Sequence, residues 1–379
     1  MRIGIDARLI DETGVGRYIR NLIEELGTSR DGHTYIVYLK KQSFDAFVLP
    51  NEKWEKRCTD IHWHTCMEQI MMPMYYRKDH LDILHVPYFN APIFYTKPFM
   101  LTIHDLTVFH ITTGKATKLP YPLYLLKKLG YVILLRIGLS RAKAIIAVSE
   151  TTKKELVEHF HVVPEKITVT YEGVDKRLQM KDGKSNPKSQ IPNPKYTEHP
   201  YFLYVGNAYP HKNLALLVHA FGAFIKSNPS HDIYRLLLVG KKDYFYEHIR
   251  ALVQKNHLDT HVLFLNDVSD EALQSLYRDA KAFVFPSRME GFGLPALEAL
   301  ASYCPVIASD IPVFHELFGD IPLYFNPTSP DALLKALTKS TEDMHVSRKE
   351  IASLLTRFSW KRMADATRML YETVGNASH

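Results

Sequence analysis

Two carboxylates bracket a glycine turn in the run EGFGLPALE, residues 290 to 298. The apolar stretch Ala282-Phe283-Val284-Phe285 ahead of it reads as a buried strand, and Pro295 opens the helical text Ala296-Leu297-Glu298-Ala299-Leu300-Ala301. A helix start presents unpaired N–H groups and the positive end of the helix dipole, and Gly291 and Gly293 let the backbone approach a ligand closely. A retaining glycosidase pair needs carboxyls about 5 to 5.5 Å apart, whereas eight helical residues rise about 12 Å. Glu290 and Glu298 are therefore read as two separate hydroxyl acceptors, one for a sugar and one for a ribose, with phosphates between them.

Phosphates call for cations. Lys212, in VGNAYPHKNL, follows strand-like text and precedes the helical NLALLVHAF, so its ammonium can meet a phosphate as a point charge; Arg288 is the second candidate. His104 ends the apolar run FMLTI and is either a group that meets a sugar hydroxyl or a structural histidine satisfied by backbone; the strand-end position favours the first, and Asp105 is read as fixing the loop. Gly14-Val15-Gly16 makes a glycine turn before a helix, suited to a phosphate or sugar. It fails as a dinucleotide fingerprint because Ile19 stands where the third glycine belongs. His257 and His261 have helical ligand spacing but lack a metalloprotease glutamate, and are read as surface loop.

The elements that must hold these groups alternate between strand and helix. RIGIDAR, YIVYL, DILHV, FMLTI and AIIAV read as strands in the first half, and YFLYVG, RLLLVG, VLFL, AFVF and PVIAS in the second, each set interleaved with helical text. The class is α/β, with two Rossmann-like, doubly wound parallel sheets, and ligands in such sheets bind beyond the carboxyl ends of the strands. Residues 1–175 form the first domain, the Pro-, Lys- and Asn-rich stretch 176–200 a linker, 201–358 the second domain, and 359–379 a last helix with no strand after it.

At 379 residues the chain exceeds one ordinary core, and 46% hydrophobic against 23% charged residues argues against long disorder. Cys58, Cys66 and Cys304 have no metal-ligand spacing and the start MRIGIDARLI shows no leader pattern, so free thiols in a cytoplasmic protein are expected. A net charge of +6 permits an anionic partner, but the scattered acids argue against nucleic acid. From 106 to 149 there is no Asp or Glu, while Lys115, Lys118, Lys127, Lys128, Arg136, Arg141 and Lys143 lie among aromatic and leucine residues. Such a stretch either lies on an anionic membrane leaflet or packs its apolar face and solvates its basic one.

Taken together, TGVGRY, TIHDL, AVSE, YVGNAYPHKNL, PSRMEGFGLPALEALA and the terminal FSW resemble the retaining glycosyltransferases of family 4, over nearly the whole chain. The resemblance implies a GT-B fold, two domains facing across a cleft, with the first binding the acceptor, the second the nucleotide sugar, and the last helix crossing back to the first. It implies that Glu290 holds hydroxyls of the donor sugar with the amides of Phe292 and Gly293, next to Leu294, and that Glu298 holds the ribose diol. His104 faces the donor sugar, Lys212 neutralises the diphosphate, and Gly14 and Gly16 lie against the donor phosphates. Many members carry an arginine on the lysine's loop, where this chain has Gly206-Asn207; Asn207 then joins the donor site, and Arg288 compensates. The implied transfer retains configuration by a front-face path without a protein nucleophile. The chain has no Asp-x-Asp, so no metal or other cofactor is expected.

Within the family the motifs look most like bacterial mannosyltransferases of O-antigen or exopolysaccharide assembly, which use GDP-mannose and extend a glycan or lipid-linked glycan. A UDP-sugar donor stays open, because the base pocket near Asn266 to Ser269 does not separate guanine from uracil. A non-hydrolysing UDP-sugar epimerase and a silent nucleotide-sugar-binding subunit are the readings from other classes.

Overall fold

The computed structural model describes residues 1–110, 121–174, 198–342, 344 and 346–376. Most of the expected linker, and Lys115 and Lys118, lie outside the described residues. The chain divides into two compact units, Met1–Gly173 joined by the segment from Ser359 onward, and Val174–Phe358.

The first unit holds β1 (Arg2–Asp6), β2 (Thr34–Leu39), β3 (Trp54–Cys58), β4 (Ile83–Val86), β5 (Phe99–Ile103), β6 (Ala144–Ala147) and β7 (Ile167–Val169). All pair in parallel, in the order β3-β2-β1-β4-β5-β6-β7. Helices cover both faces of such a sheet, which is why its inner strands are unbroken apolar runs such as FMLTI and AIIA. The helix Gly14–Gly27 buries Tyr18, Ile19, Leu22, Ile23 and Leu26 on one stripe. The terminal helix Trp360–Asn376 packs against it and belongs to this unit. Its Tyr371 hydroxyl is hydrogen-bonded to His85 Nδ1 at 2.7 Å, and His85 Nε2 to Thr102 Oγ1 at 2.8 Å, all three being buried. Gly173 passes so close to this helix that a Cβ there would lie 2.3 Å from the Trp360 backbone nitrogen.

The second unit holds β8 (Tyr201–Val205), β9 (Arg235–Val239), β10 (Val262–Leu265), β11 (Ala282–Phe285), β12 (Val306–Ser309) and β13 (Leu323–Phe325), parallel in the order β10-β9-β8-β11-β12-β13. Its strand order reverses between β8 and β11, as that of the first unit does between β1 and β4. Loops leaving the paired strands on either side of a reversal run in opposite directions and open a crevice at the carboxyl end.

Three strands escape the sequence reading. β3 (WEKRC), β7 (ITV) and β13 (LYF) all lie at sheet edges. β3 is charged and β7 and β13 are only three residues long, features that protect a sheet edge from pairing with other chains and weaken the apolar signal, whereas the fourth edge strand, β10 (VLFL), keeps it.

Candidate active site

In the second unit, β8 runs out at Val205 into Gly206, whose φ of +150° suits glycine and whose Cβ would meet the Tyr204 hydroxyl at 2.9 Å. The Tyr204 hydroxyl instead donates to the Asn207 carbonyl at 2.6 Å, and Asn207 Oδ1 accepts from the Tyr209 amide at 3.3 Å. The chain then makes a 3₁₀ turn, Pro210–Lys212, and passes through Asn213 in the left-handed region (φ 61°) into the helix Leu214–Ser227. Asn213 is buried, and its Nδ2 donates to two carbonyls, Pro286 at 3.0 Å and Pro327 at 2.9 Å. The Arg288 amide donates to the His211 carbonyl at 2.8 Å. These bonds lock the loop after β8 to the loop after β11.

Locked in this way, Lys212 and Glu290 meet. The ammonium donates to both carboxylate oxygens, at 2.6 and 2.8 Å, and the two side chains are 16% and 10% exposed. The ammonium also lies 5.9 Å from the Phe285 ring centroid. The Arg288 side chain is exposed.

Glu290 leads into the turn that starts the helix Leu294–Ala301, with Gly293 at its N-cap at φ +110°. A Cβ on Gly293 would press on Phe314 and Phe285 at 3.1 and 3.2 Å, so glycine is required there for conformation and for packing. Phe292 is buried edge-on to Phe358, with ring centroids 5.7 Å apart, and Leu294 is buried as well. Their side chains belong to the core, so any ligand contact at this turn falls to backbone amides. Glu298, one turn further on, is 2% exposed and accepts the Tyr277 hydroxyl at 3.2 Å.

The first unit holds His104, Asp105, Gly14 and Gly16. His104 follows β5, its Nδ1 3.2 Å from Glu172 Oε1 and its Nε2 3.2 Å from the Pro87 carbonyl, with the Tyr18 ring edge-on at 4.9 Å. Both partners are acceptors, so the ring nitrogen that carries a proton donates to one of them and the ring is held in place from both sides. Asp105 Oδ1 accepts from the Thr107 amide at 2.8 Å and so shapes the loop. Gly14 and Gly16 differ. A Cβ on Gly16 would strike the Ile10 carbonyl oxygen at 2.4 Å, whereas one on Gly14, at the exposed helix start, would meet nothing within 4 Å. His257 lies in a turn, and His261 Nε2 is 3.0 Å from Asp232 Oδ1. Among the described residues no group of three or more His, Cys, Asp or Glu side chains is arranged to hold a metal ion.

Sequence reasoning missed Glu172, 68 positions from its histidine, and the Asn213 clamp. Asn213 had one visible signal, its place after PHK at a helix start, where an asparagine tolerates the left-handed region.

Two doubly wound parallel units, the second with a cation and a carboxylate joined at its switch point, are the architecture of the GT-B class. Residues 13–178 match the family described as Glycosyltransferase Family 4 and residues 185–353 the family described as Glycosyl transferases group 1, and the chain belongs to these glycosyltransferases. It is 34% identical over 267 residues to the O-antigen chain mannosyltransferase RfbU of Salmonella typhimurium, a match covering 69% of this chain and 66% of that protein. It is 26% identical over 383 residues to O-antigen chain mannosyltransferase B of Escherichia coli, covering 95% and 96%. Among solved structures, sucrose-phosphate synthase from Thermosynechococcus elongatus superposes with a TM-score of 0.78 at 20% identity over 100% of both chains, a likeness of fold.

Proposed function

We propose that the chain transfers a mannosyl residue from GDP-mannose to a glycan acceptor, with retention of configuration, in the assembly of a bacterial surface polysaccharide. The observation that carries this reading is the Lys212–Glu290 pair at the switch point of the second unit. An arriving diphosphate competes for the ammonium and releases Glu290 to accept two hydroxyls of the donor hexose. The amides of Phe292 and Gly293 donate at the same place, and Glu298 takes the ribose diol when the Tyr277 hydroxyl shares it. Asn207 and Arg288 edge the site.

In the transfer step the anomeric carbon's bond to the diphosphate oxygen breaks and a bond to the acceptor oxygen forms on the same face. The acceptor proton goes to the departing phosphate oxygen, and Lys212 stabilises the charge that develops. Mannose as the sugar is supported by the likeness to two O-antigen chain mannosyltransferases. The test is a melting panel of GDP, UDP, ADP and dTDP, followed by transfer from the best nucleotide's sugar in EDTA, with the anomeric configuration read by NMR. A ligand at 100 times its Kd stabilises by about 2.7 kcal/mol. GDP should stabilise most and EDTA should leave transfer intact. A larger shift with UDP moves the donor to a UDP-sugar, and release of an epimer without acceptor refutes transfer.

The acceptor is proposed to be lipid-linked and met at the cytoplasmic face of the inner membrane. Among the described residues no helix is long and apolar enough to cross a membrane. The helix Tyr121–Arg141 exposes Leu123, Leu125, Leu126, Leu129 and Ile133 beside exposed Lys127 and Arg136, a mixture suited to an anionic leaflet. Lys128 is not part of that free charge, because its ammonium donates to the Phe109 carbonyl at 2.9 Å.

A further inference from the structure

The carboxyl end of the second unit's sheet carries a row of aromatic rings that the transfer chemistry above leaves unused. Tyr209 and His211 lie on the loop after β8, and Tyr244, Phe245 and His248 on the helix Tyr244–Lys255 that follows β9, the strand paired with β8. The rings run in contact. His211 stacks on Tyr209 with centroids 6.0 Å apart, Tyr209 meets Phe245 edge-on at 4.8 Å, Phe245 meets Tyr244 edge-on at 5.4 Å, and Tyr244 meets His248 at 4.3 Å. Among the described residues of the second unit the exposed large apolar side chains are Tyr209, Tyr244 and Ile233, so two of the three fall in this row. Apolar surface gathered in one exposed patch, rather than scattered singly, is the mark of a contact site.

The row is held rigidly. Asp243 Oδ1 accepts from the Phe245 and Tyr246 amides, both at 2.9 Å, and so caps the helix. The Tyr246 hydroxyl is shared between the carbonyls of Gly206, at 2.7 Å, and Val239, at 3.0 Å, which ties the helix to both strand ends. The Lys212 amide donates to the Tyr209 carbonyl at 2.8 Å, so the row begins within one turn of the cation assigned to the donor diphosphate. Rings already fixed in place lose little freedom when a ligand lies on them.

We propose that this row is a track for the acceptor glycan, along which successive pyranose units lie outward from Lys212. Each ring offers a sugar an apolar face for its C–H groups, and the hydroxyls of Tyr209 and Tyr244 supply hydrogen-bonding groups at the ring rims. An anionic leaflet or a nucleic acid is disfavoured, because the flanking charges are mixed, Lys241, Lys242 and Arg250 beside Asp243 and Glu247, and set up no field of one sign. Naming the glycan as the acceptor rests on the glycosyltransferase reading, whereas the binding itself requires no turnover.

The test titrates the full chain with ladders of manno- and gluco-oligosaccharides, from the free sugar to the pentasaccharide, by saturation-transfer NMR in wild type, Tyr209→Ala and Tyr244→Ala. Wild type should bind the pentasaccharide of one ladder at least roughly tenfold more tightly than the free sugar, and each variant should bind it roughly tenfold more weakly than wild type, the scale of one lost ring contact. Both tyrosines are exposed, and an unchanged melting temperature with an unchanged rise on adding the best nucleotide controls for the fold. Affinity that does not grow with length in either ladder, or wild-type affinity in both variants, overturns the track. A nucleotide-induced rise that shrinks in Tyr209→Ala also overturns it and makes the row a platform for the base; sedimentation with phosphatidylglycerol vesicles that is lost in Tyr244→Ala overturns it in favour of a lipid contact. Nucleotide-sugar consumption separates the two readings. A wild type that binds the pentasaccharide through these tyrosines but consumes no nucleotide sugar keeps the track and refutes transfer; a wild type that transfers sugar with an acceptor KM indifferent to both substitutions refutes the track alone.

Discussion

Replacing Lys212 and Glu290 singly and together distinguishes a working site from a structural ion pair. At 2.6 Å and an effective dielectric constant of 20 the pair's Coulomb attraction is roughly 6 kcal/mol, most of it offset by the desolvation of two nearly buried charges. Removing one partner strands the other. Lys212→Met or Glu290→Gln alone should therefore destabilise the second unit by about 3 kcal/mol, the lower end of the range for buried pairs, because some solvent reaches this one. The double variant strands neither charge and should lose only about 1 kcal/mol. For a unit of this size each kcal/mol lowers the melting temperature by about 2 to 4 °C. Calorimetry should therefore find both single variants well below wild type and the double variant close to it. Turnover should follow a different pattern. A charge-assisted hydrogen bond contributes about 1.5 to 3 kcal/mol, so each single variant should lose at least roughly tenfold in turnover, and the double variant should stay as inactive as the worse single one. Near wild-type turnover in the stable double variant would show that the pair is a strut between two loops and would remove both residues from the chemistry.

The Asn213 clamp makes a narrower prediction. Asn213→Ala leaves two carbonyls unpaired and keeps a Cβ at φ 61°, for a loss of about 3 to 5 kcal/mol, whereas Asn213→Gly escapes the left-handed strain and should be about 1 kcal/mol more stable than the alanine variant in urea unfolding; equal stabilities would mean that conformation at 213 contributes nothing. Acid should loosen the first unit through His85, whose imidazole burial, with His104 nearby, pushes down to about 3 from an ordinary 6.5. Below pH 6.5 the unfolded chain takes a proton there that the folded chain refuses, so stability falls as pH falls and the loss reaches about 2 kcal/mol at pH 5. His85→Asn should flatten that slope, and an unchanged slope would place the acid sensitivity elsewhere. At the membrane, the chain should sediment with phosphatidylglycerol vesicles at low salt and leave them at high salt. Each basic residue near an anionic surface is worth about 1 kcal/mol, so Lys127→Glu with Arg136→Glu should weaken binding at least tenfold; a chain that stays in the supernatant at low salt meets its acceptor without this face.

The sequence made the doubly wound class legible because parallel strands covered on both faces are unbroken apolar runs, and FMLTI, AIIA and AFVF could be little else. A charged edge strand loses that signature. WEKRC carries charge at three of five positions, and its membership of the first sheet follows only from its register against TYIVYL. The same limit hid the buried cluster in which Arg8 holds Asp6 and Glu68. Asp6 and Arg8 flank one alanine in IDAR and look like the polar steps of an alternating strand, while their third member, Glu68, sits 60 positions away on the helix Cys66–Lys78.

Lys212 and Glu290 are 78 positions apart, farther than Arg8 is from Glu68, yet they could be assigned to one site from sequence. The reason is topological. Any loop after β8 and any loop after β11 must open at the same reversal of strand order once the sheet is doubly wound, so a lysine in one and a glutamate in the other are neighbours without any local signal that says so. Glu68 reaches Arg8 from a helix face, and a helix can present any of several faces to a sheet end. Glu298 lies between these cases. It is reached by the same β11 loop, but one helical turn later, and that turn carries its carboxylate from the mouth of the crevice to a position 2% exposed beneath it. Strand ends are therefore where chain order alone locates chemistry, and each turn of helix beyond them hands the decision to packing.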